Sequence, residues 1–313
     1  MTDRALVVRE AGLLTTVQDL GRPGWGALGI PAAGALDAEA LRLANLLAGN
    51  DEGAAGLEIT LVGPVLEARG DVTLAVAGGP FGPAPGRART LRSGETVALR
   101  AETSWSGSAR AVVAVAGGIA VPAILGSRAT CVVAHFGGLH GWPLRKGDLL
   151  PVGPPPRPPR FDLALPDLPA AAGTAVRVLP GPQAGFFGDE AVRTFYGSAY
   201  RIRPESNRIG FRLEGPAVRG DLRAIEELPS EGTALGSIQI TADGQPIVLL
   251  SERPTTGGYP KIATVLAADL GLLVRAQPGA SIRFEVTTPG EARRLLAEKE
   301  ERIRRFAAEV RSE

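Results

Sequence analysis

Arg253 to Lys261, which reads RPTTGGYPK, gathers two hydroxyls, a phenol and an ammonium into one short loop. Pro254 and Pro260 bracket it and hold the backbone near a fixed φ. Gly257 and Gly258 are free to take positive φ and to let a ligand approach the main chain. Lys261 offers a point charge to an oxyanion, and the amides of Gly257 and Gly258 are expected to form an anion nest beside it. Thr255 and Thr256 are candidate substrate-binding residues, and Tyr259 is a candidate catalytic one. The lysine stands out because Lys146, Lys261 and Lys299 are the only lysines among 34 basic residues. Against that background a lysine inside a rigid Gly-Gly turn is less easily read as filler.

Three other polar turns carry chemistry. Ser206 to Arg212 (SNRIGFR) places Asn207, Arg208 and Arg212 close together. The two guanidiniums suit a carboxylate or phosphate through bidentate hydrogen bonds. Glu231, in Ser230-Glu231-Gly232, is a candidate general base or acid. Gln18 to Arg22 is a further Gly-containing polar turn. The structural alternatives stay open at each position: arginines beside glycine turns are often in ion pairs, and Asn207 suits a turn conformation that most residues avoid.

Several function classes are excluded. The chain has no G-x-x-x-x-G-K-[ST] phosphate loop, no H-E-x-x-H and no G-x-S-x-G elbow. His135 and His140 have no carboxylate or thiol cluster beside them, so no metal site is expected. Met1 is the sole methionine and flanks no lysine, so a biotin attachment site is not expected either. A net charge of +1 gives no attraction to nucleic acid or to an anionic membrane. The single Cys131 cannot form an internal disulfide and reads as a buried thiol. No apolar run is long enough to span a bilayer, and MTDRALVVREAG lacks the apolar stretch of a signal peptide. The cytoplasm is the expected compartment.

These loops must be held by a mainly β framework. With 41 glycines and 26 prolines in 313 residues, short strands and turns are favoured over long helices. Strands are expected at Ala5–Arg9 and Leu13–Val17. A long Gly/Pro-rich loop follows, from Gly21 to Asp37, and then a helix that Asp37 caps and Gly49 ends. From Leu57 to Val133 strand follows strand. Pro151 to Pro169 is too rich in proline for helix or central strand and marks a boundary, or a strap in which Phe161, Leu163 and Leu165 alternate with polar or small residues. Residues 1–152 are read as one domain, 153–172 as linker or strap, and 173–313 as a second domain. In that second domain, strands are expected at Ala175–Leu179, Ala199–Arg203, Gly210–Glu214, Ser237–Thr241, Ile247–Leu250 and Ser281–Thr287. Helices are expected from Ala184 to Phe195 and from Pro260 towards Asp269. The tail begins with the capping box Thr288-Pro-Gly-Glu291 and carries an apolar stripe through Ile303, Phe306 and Val310. Glu298/Arg302, Glu300/Arg304 and Glu301/Arg305 are spaced to pair along it.

The blocks TTVQDLGRPGWGALGIPAAGALD, LANLLAGN, SNRIGFRLEGP, SEGTALGSIQI and PTTGGYPKIATV run in order from about Leu13 towards Phe284. They resemble the biotin-dependent carboxyltransferase family, also called allophanate hydrolase subunit 2 or KipA. The resemblance implies tandem cyclophilin-like β-barrels with a C-terminal helix. For most stand-alone bacterial members it implies the role of the C component in an ATP-dependent 5-oxoprolinase, which converts 5-oxoproline to L-glutamate. ATP would be consumed by a complex with a KipI-like B component and an A component of the LamB/YcsF type. The alternatives it implies are a KipA-like regulator that binds a KipI-type kinase inhibitor, and a carboxyltransferase component acting on urea or a related amide. On the first reading Lys261 and the Gly257/Gly258 amides meet an oxyanion or phosphate. Arg208 or Arg212 then holds the substrate carboxylate, and Glu231 moves a proton. Two positions depart from the family pattern: Glu252 stands where aspartate is common, and Trp142 where arginine is common.

Overall fold

The computed structural model describes residues 4–101, 108–168, 175–221 and 228–312. The chain divides into two units, one of Met1–Arg22, Ala33–Pro169 and Glu300–Glu313, the other of Pro23–Ala32 and Ala170–Lys299. The expected division at 153–172 differs from this in three respects: Pro23–Ala32 goes with the second unit, and the Pro-rich stretch up to Pro169 and the end of the terminal helix go with the first. Part of the expected linker, 169–172, lies outside the described residues.

In the first unit the chain forms β1 (Ala5–Glu10), β2 (Leu14–Gln18), α1 (Ala38–Leu47), β3 (Gly56–Thr60), β4 (Val65–Arg69), β5 (Val72–Ala77), β6 (Ala88–Leu91), β7 (Thr96–Ala98), β8 (Arg110–Val115) and β9 (Leu149–Pro151). They assemble as a four-stranded sheet, β7-β4-β1-β9, and a five-stranded sheet, β2-β3-β8-β5-β6. The period-two pattern explains the layering. In β5, Val72, Leu74 and Val76 enter a core that also takes Leu6, Val8 and Leu66 from the other sheet. Their neighbours Ala75 and Ala77 join Ala114 of β8 on the opposite face, against Leu43, Leu47 and the rest of α1. Alternate side chains of a strand point to opposite faces, and small residues on one face let a helix lie close.

Helix α1 begins where the sequence predicts: the Asp37 side chain accepts a hydrogen bond from the Ala40 amide at 3.1 Å. The end of the terminal helix packs Ile303, Phe306, Ala307 and Val310 into the same cluster as α1. Of the residues expected to pair there, Arg302 pairs with Glu39 and Glu300 pairs with Arg42, both of α1, while Glu301 pairs with Arg304 within the helix at 3.0 Å. The Pro-rich stretch forms no strand or helix between residues 153 and 168. Its Leu163, Leu165 and Leu168 pack on the α1 cluster, and Phe161 is left exposed.

The second unit holds β10 (Ala175–Pro180), α2 (Asp189–Gly197), β11 (Tyr200–Ile202), β12 (Gly210–Glu214), β13 (Glu231–Gly232), β14 (Ser237–Ile240), β15 (Pro246–Leu249), β16 (Thr256–Gly257), β17 (Lys261–Val265), α3 (Leu270–Arg275), β18 (Ser281–Val286) and the start of α4 (Pro289–Arg311). Seven strands close into a barrel in the order β10-β17-β14-β15-β12-β11-β18. The parallel pairing of β10 with β18 completes the circle. The mainly β architecture with a C-terminal helix is as expected from the sequence.

Two helix expectations fail. Lys261–Val265 is a strand, not the start of a helix, because β10 on one side and β14 on the other supply its ladders. Ile262, Thr264 and Val265 suit that pleated position, and the helix is delayed to Leu270. The helix expected over Ala184–Phe195 is broken near Gly188 into a 3-10 turn, Ala184–Phe186, and α2. Among the described residues no helix is long and apolar enough to cross a membrane.

Candidate functional site

Lys261 opens β17, and the chain leaving β10 turns directly over it. Gly181 donates its amide to the Ile262 carbonyl at 2.8 Å. A side chain at Gly181 would put its Cβ 2.2 Å from the Lys261 carbonyl oxygen, so this approach requires glycine. Two residues later Gln183 locks the turn in place. Its amide N–H donates to the Lys261 carbonyl at 3.3 Å. Its side-chain Oε1 accepts from the Lys261 amide at 3.1 Å. Its Nε2 donates to Glu231 Oε1 at 2.7 Å. The same Glu231 oxygen lies 2.7 Å from Lys261 Nζ.

The result is a three-residue assembly from β13, β17 and the turn after β10. Only 3% of the Lys261 side chain is exposed, against 40% of Glu231, so the carboxylate stands between the ammonium and solvent. An ammonium has three donors. Among the described residues the Lys261 ammonium has the Glu231 ion pair and no hydrogen bond of good geometry. The Lys261 ammonium, and secondarily the Gln183 amide, hold the Glu231 carboxyl below its usual range. Glu231 is therefore the ionised counter-ion of Lys261. Its lowered basicity suits charge compensation better than the proton transfer expected of it.

Strand pairing brings more of the RPTTGGYPK loop to this point. Glu231 pairs with Gly257, and Gly232 with Thr256. On the barrel, Gln239 of β14 stands opposite Lys261. Cross-strand partners project to the same face. Gln239 is buried, and a Cβ at Gly257 would lie 2.7 Å from its Nε2. This steric closeness explains Gly257. The anion nest expected of Gly257 and Gly258 is not formed: neither residue has positive φ, and a nest needs alternating right- and left-handed backbone. Thr255 gives its carbonyl to the Thr233 amide at 3.0 Å. Thr256 and Tyr259 are exposed, and Tyr259 keeps 46% of its surface.

The turn at Asn207 has a different role from the one expected. Asn207 Oδ1 accepts from the Ile209 amide at 2.9 Å, which folds the turn on itself. Arg208 points inward and donates from Nε to Glu252 Oε1 at 2.6 Å, with 3% and 1% of the two side chains exposed. The Glu252 amide in turn donates to the Arg208 carbonyl at 3.0 Å. Arg208 is thus spent on fixing this turn against the start of the RPTTGGYPK loop, which corrects its assignment to a substrate carboxylate. Glu252 uses its charge internally, in the pair with Arg208. Arg212 lies on β12 with its side chain exposed and is not drawn into the Lys261 assembly by any contact. In the first unit, Trp142 stacks on His135 with centroids 3.9 Å apart and carries Arg145 over its ring. Asp19 binds the Gly21 amide, the Ser127 hydroxyl and the Arg128 amide, so the Gln18–Arg22 turn is structural.

The structure brings Lys261, Glu231 and Gly257 together and adds Gln183 and Gln239. Nothing in the local sequence marks either glutamine, since each acts only through a strand pairing or turn contact with distant residues.

Residues 28–286 match the family described as carboxyltransferase domain, subdomain A and B. The chain belongs to this family. All of the residues just assembled fall inside the matched range. Among carboxyltransferase-domain proteins, it is similar to the C component of 5-oxoprolinase from Escherichia coli (strain K12), at 35% identity over 315 residues, covering 98% of this chain and 99% of the relative. It is 32% identical to the corresponding 5-oxoprolinase component of Haemophilus influenzae over 305 residues, covering 94% of this chain and 96% of the relative. Urea amidolyase of Lachancea kluyveri is 32% identical over 93% of this chain, which spans 17% of that protein. Among solved structures, the urea amidolyase of K. lactis superposes with a TM-score of 0.87 at 29% identity, over 96% of this chain and 20% of that chain. The Kluyveromyces lactis urea carboxylase gives the same TM-score of 0.87 and identity of 29%, and this chain spans 29% of its length.

Proposed function

We propose that this chain is the C component of an ATP-dependent 5-oxoprolinase, acting with a KipI-like B component and an A component of the LamB/YcsF type. The observation that carries the reading is the end-to-end match to a 5-oxoprolinase component, covering 98% of this chain and 99% of that relative. The urea amidolyase match, by contrast, is to a small part of a far longer chain. The substrate is a lactam, whose carbonyl resists attack by water. ATP, consumed by the complex, transfers its terminal phosphoryl group to the carbonyl oxygen and leaves as ADP. One water adds to the carbonyl carbon, the lactam C–N bond breaks, and the nitrogen leaves protonated as the amine. A second water then releases inorganic phosphate from the acyl phosphate and frees the carboxylate of glutamate.

The role of this chain is electrostatic. Lys261 is a nearly dry ammonium whose donors are not all used among the described residues, and charge developing on the substrate oxygen meets it in a medium of low dielectric. Gln183 sets the position of Lys261 through the backbone and of Glu231 through the side chain. Glu231 keeps the ammonium neutralised until an anion displaces the carboxylate.

The test is reconstitution. With purified A and B components, the chain is expected to yield glutamate from 5-oxoproline only when ATP and all three proteins are present. No glutamate from the complete, folded set refutes the reading. Lys261→Met is expected to lower kcat by about 100- to 1000-fold, the usual loss for one oxyanion-stabilising donor. Undiminished turnover by that variant removes Lys261 from the mechanism. A second reading, carboxyl transfer to urea or a related amide, is favoured by the superposition on the K. lactis urea carboxylase at a TM-score of 0.87. It predicts carboxylation of urea when a carboxybiotin-bearing carrier replaces the A and B components.

A further inference from the structure

Arg253 opens the RPTTGGYPK loop, and among the described residues no carboxylate pairs with it. Its Nε donates to the Thr233 carbonyl at 3.1 Å and its Nη1 to the Leu250 carbonyl at 3.3 Å. Both acceptors are neutral, so they aim the guanidinium without cancelling its charge. Two other arginines of the unit are compensated, the buried Arg208 by Glu252 and the partly exposed Arg177 by Asp269. Arg253 is half-buried, and burial pulls its pKa down with no acid offsetting it. A guanidinium taken partly out of water without a counter-ion is unfavourable. The arrangement makes sense where an anion arrives.

The position of Arg253 says which anion. Its anchor, Thr233, is two residues from Glu231, the carboxylate paired with Lys261. Two residues of extended chain span about 6.8 Å. The Thr233 amide donates to the Thr255 carbonyl, so the Thr255–Thr256 segment lies along the same stretch. Two cations are thus tethered a short way apart along one strand pair, one a forked donor and one a point charge. A planar fork with paired donors suits a carboxylate, and a lone ammonium suits a single developing oxyanion. A small molecule with a carboxylate a few bonds from a reactive carbonyl fits both.

We propose that Arg253 is the receptor for the substrate's carboxylate, leaving Lys261 to face the reacting carbonyl oxygen. The assignment rests on the oxoprolinase reading. It supplies the carboxylate partner that Arg208, turned inward to Glu252, does not provide.

The test compares 5-oxoproline with 5-oxoprolinamide, its uncharged carboxamide, in the reconstituted complex. In wild type, kcat/KM for the carboxamide is expected to fall about 10- to 100-fold below that for 5-oxoproline, the worth of a charged hydrogen-bonded contact. Arg253→Met is expected to lower kcat/KM for 5-oxoproline by a similar factor, mainly through KM, and to leave the carboxamide unchanged. Arg253→Lys should recover part of the loss. Equal losses for both substrates would mean that Arg253 only props the loop, and would overturn the proposal. A second arm needs no turnover. Millimolar 5-oxoproline is expected to raise the melting temperature of the full wild-type chain and not that of Arg253→Met. No rise in wild type, or the same rise in the variant, also overturns it. Binding that depends on Arg253 without glutamate formation by the complex would uphold the carboxylate site and sink the oxoprolinase reading instead.

Discussion

At the scale of single residues, similar side chains have opposite fates. Arg208 and Arg253 lie 45 residues apart in sequence and both end at the RPTTGGYPK loop. Arg208 reaches Glu252 at 2.6 Å in a buried pair, and among the described residues Arg253 reaches only carbonyls. A buried pair broken on one side leaves an uncompensated charge. Glu252→Ala is therefore expected to destabilise the chain by about 3–5 kcal/mol, read as a fall in the urea midpoint with an unchanged slope. Replacing Arg208 and Glu252 together by apolar residues should cost clearly less than the two single changes added. If Glu252→Ala left stability untouched, the pair would not hold the turn. The residue scale is also where the sequence is most legible. Lys261 is conspicuous as a rare lysine beside a proline and a Gly-Gly turn. Gln183 is not, because its value lies in a contact across 78 positions.

Elements place the site more than motifs do. Read locally, the chain after Pro260 looks capable of starting a helix. The ladders from β10 and β14 decide otherwise, because a strand with two partners satisfies its backbone groups on both edges. That choice puts Lys261 opposite Gln239 and under the Gly181–Gln183 turn. The turn depends on glycine: a Cβ on Gly181 would meet the Lys261 carbonyl at 2.2 Å. Gly181→Ala is expected to cost about 1–3 kcal/mol through backbone displacement. It should also reduce turnover beyond that cost by shifting Lys261, and activity assayed well below the melting temperature separates the two effects. Wild-type activity in Gly181→Ala would mean that Lys261 tolerates movement.

For the molecule as a whole, the first unit is completed by residues from the far end of the chain. Phe306 is 5% exposed, in one cluster with α1 and the alanine face of the five-stranded sheet. Phe306→Ala is expected to destabilise by about 3–5 kcal/mol, seen as a lower melting temperature. An unchanged melting temperature would show that the helix end contributes little. The charges of this helix follow the same logic. Spacing alone favours i,i+4 pairs along its surface, yet Glu300 and Arg302 turn to Arg42 and Glu39 of α1, where a partly buried partner is screened less by water than an exposed one.

Four features are readable from the order of residues: the mainly β class, the capped start of α1, the capped terminal helix and the loop that bears Lys261. Each is written in residues close together in the chain: period-two patterns, Asp37 before its helix, Thr288 and Glu291, and glycines and prolines in one loop. Four others emerge only from the folded chain: Lys261–Val265 is a strand, Glu231 is the counter-ion of Lys261, Arg208 is neutralised and, among the described residues, Arg253 is not. The reason is one of range. Helix caps and strand alternation are satisfied by near neighbours. Whether a charge is free depends on which carboxylate comes within about 4 Å of it, and only the closed barrel sets that distance.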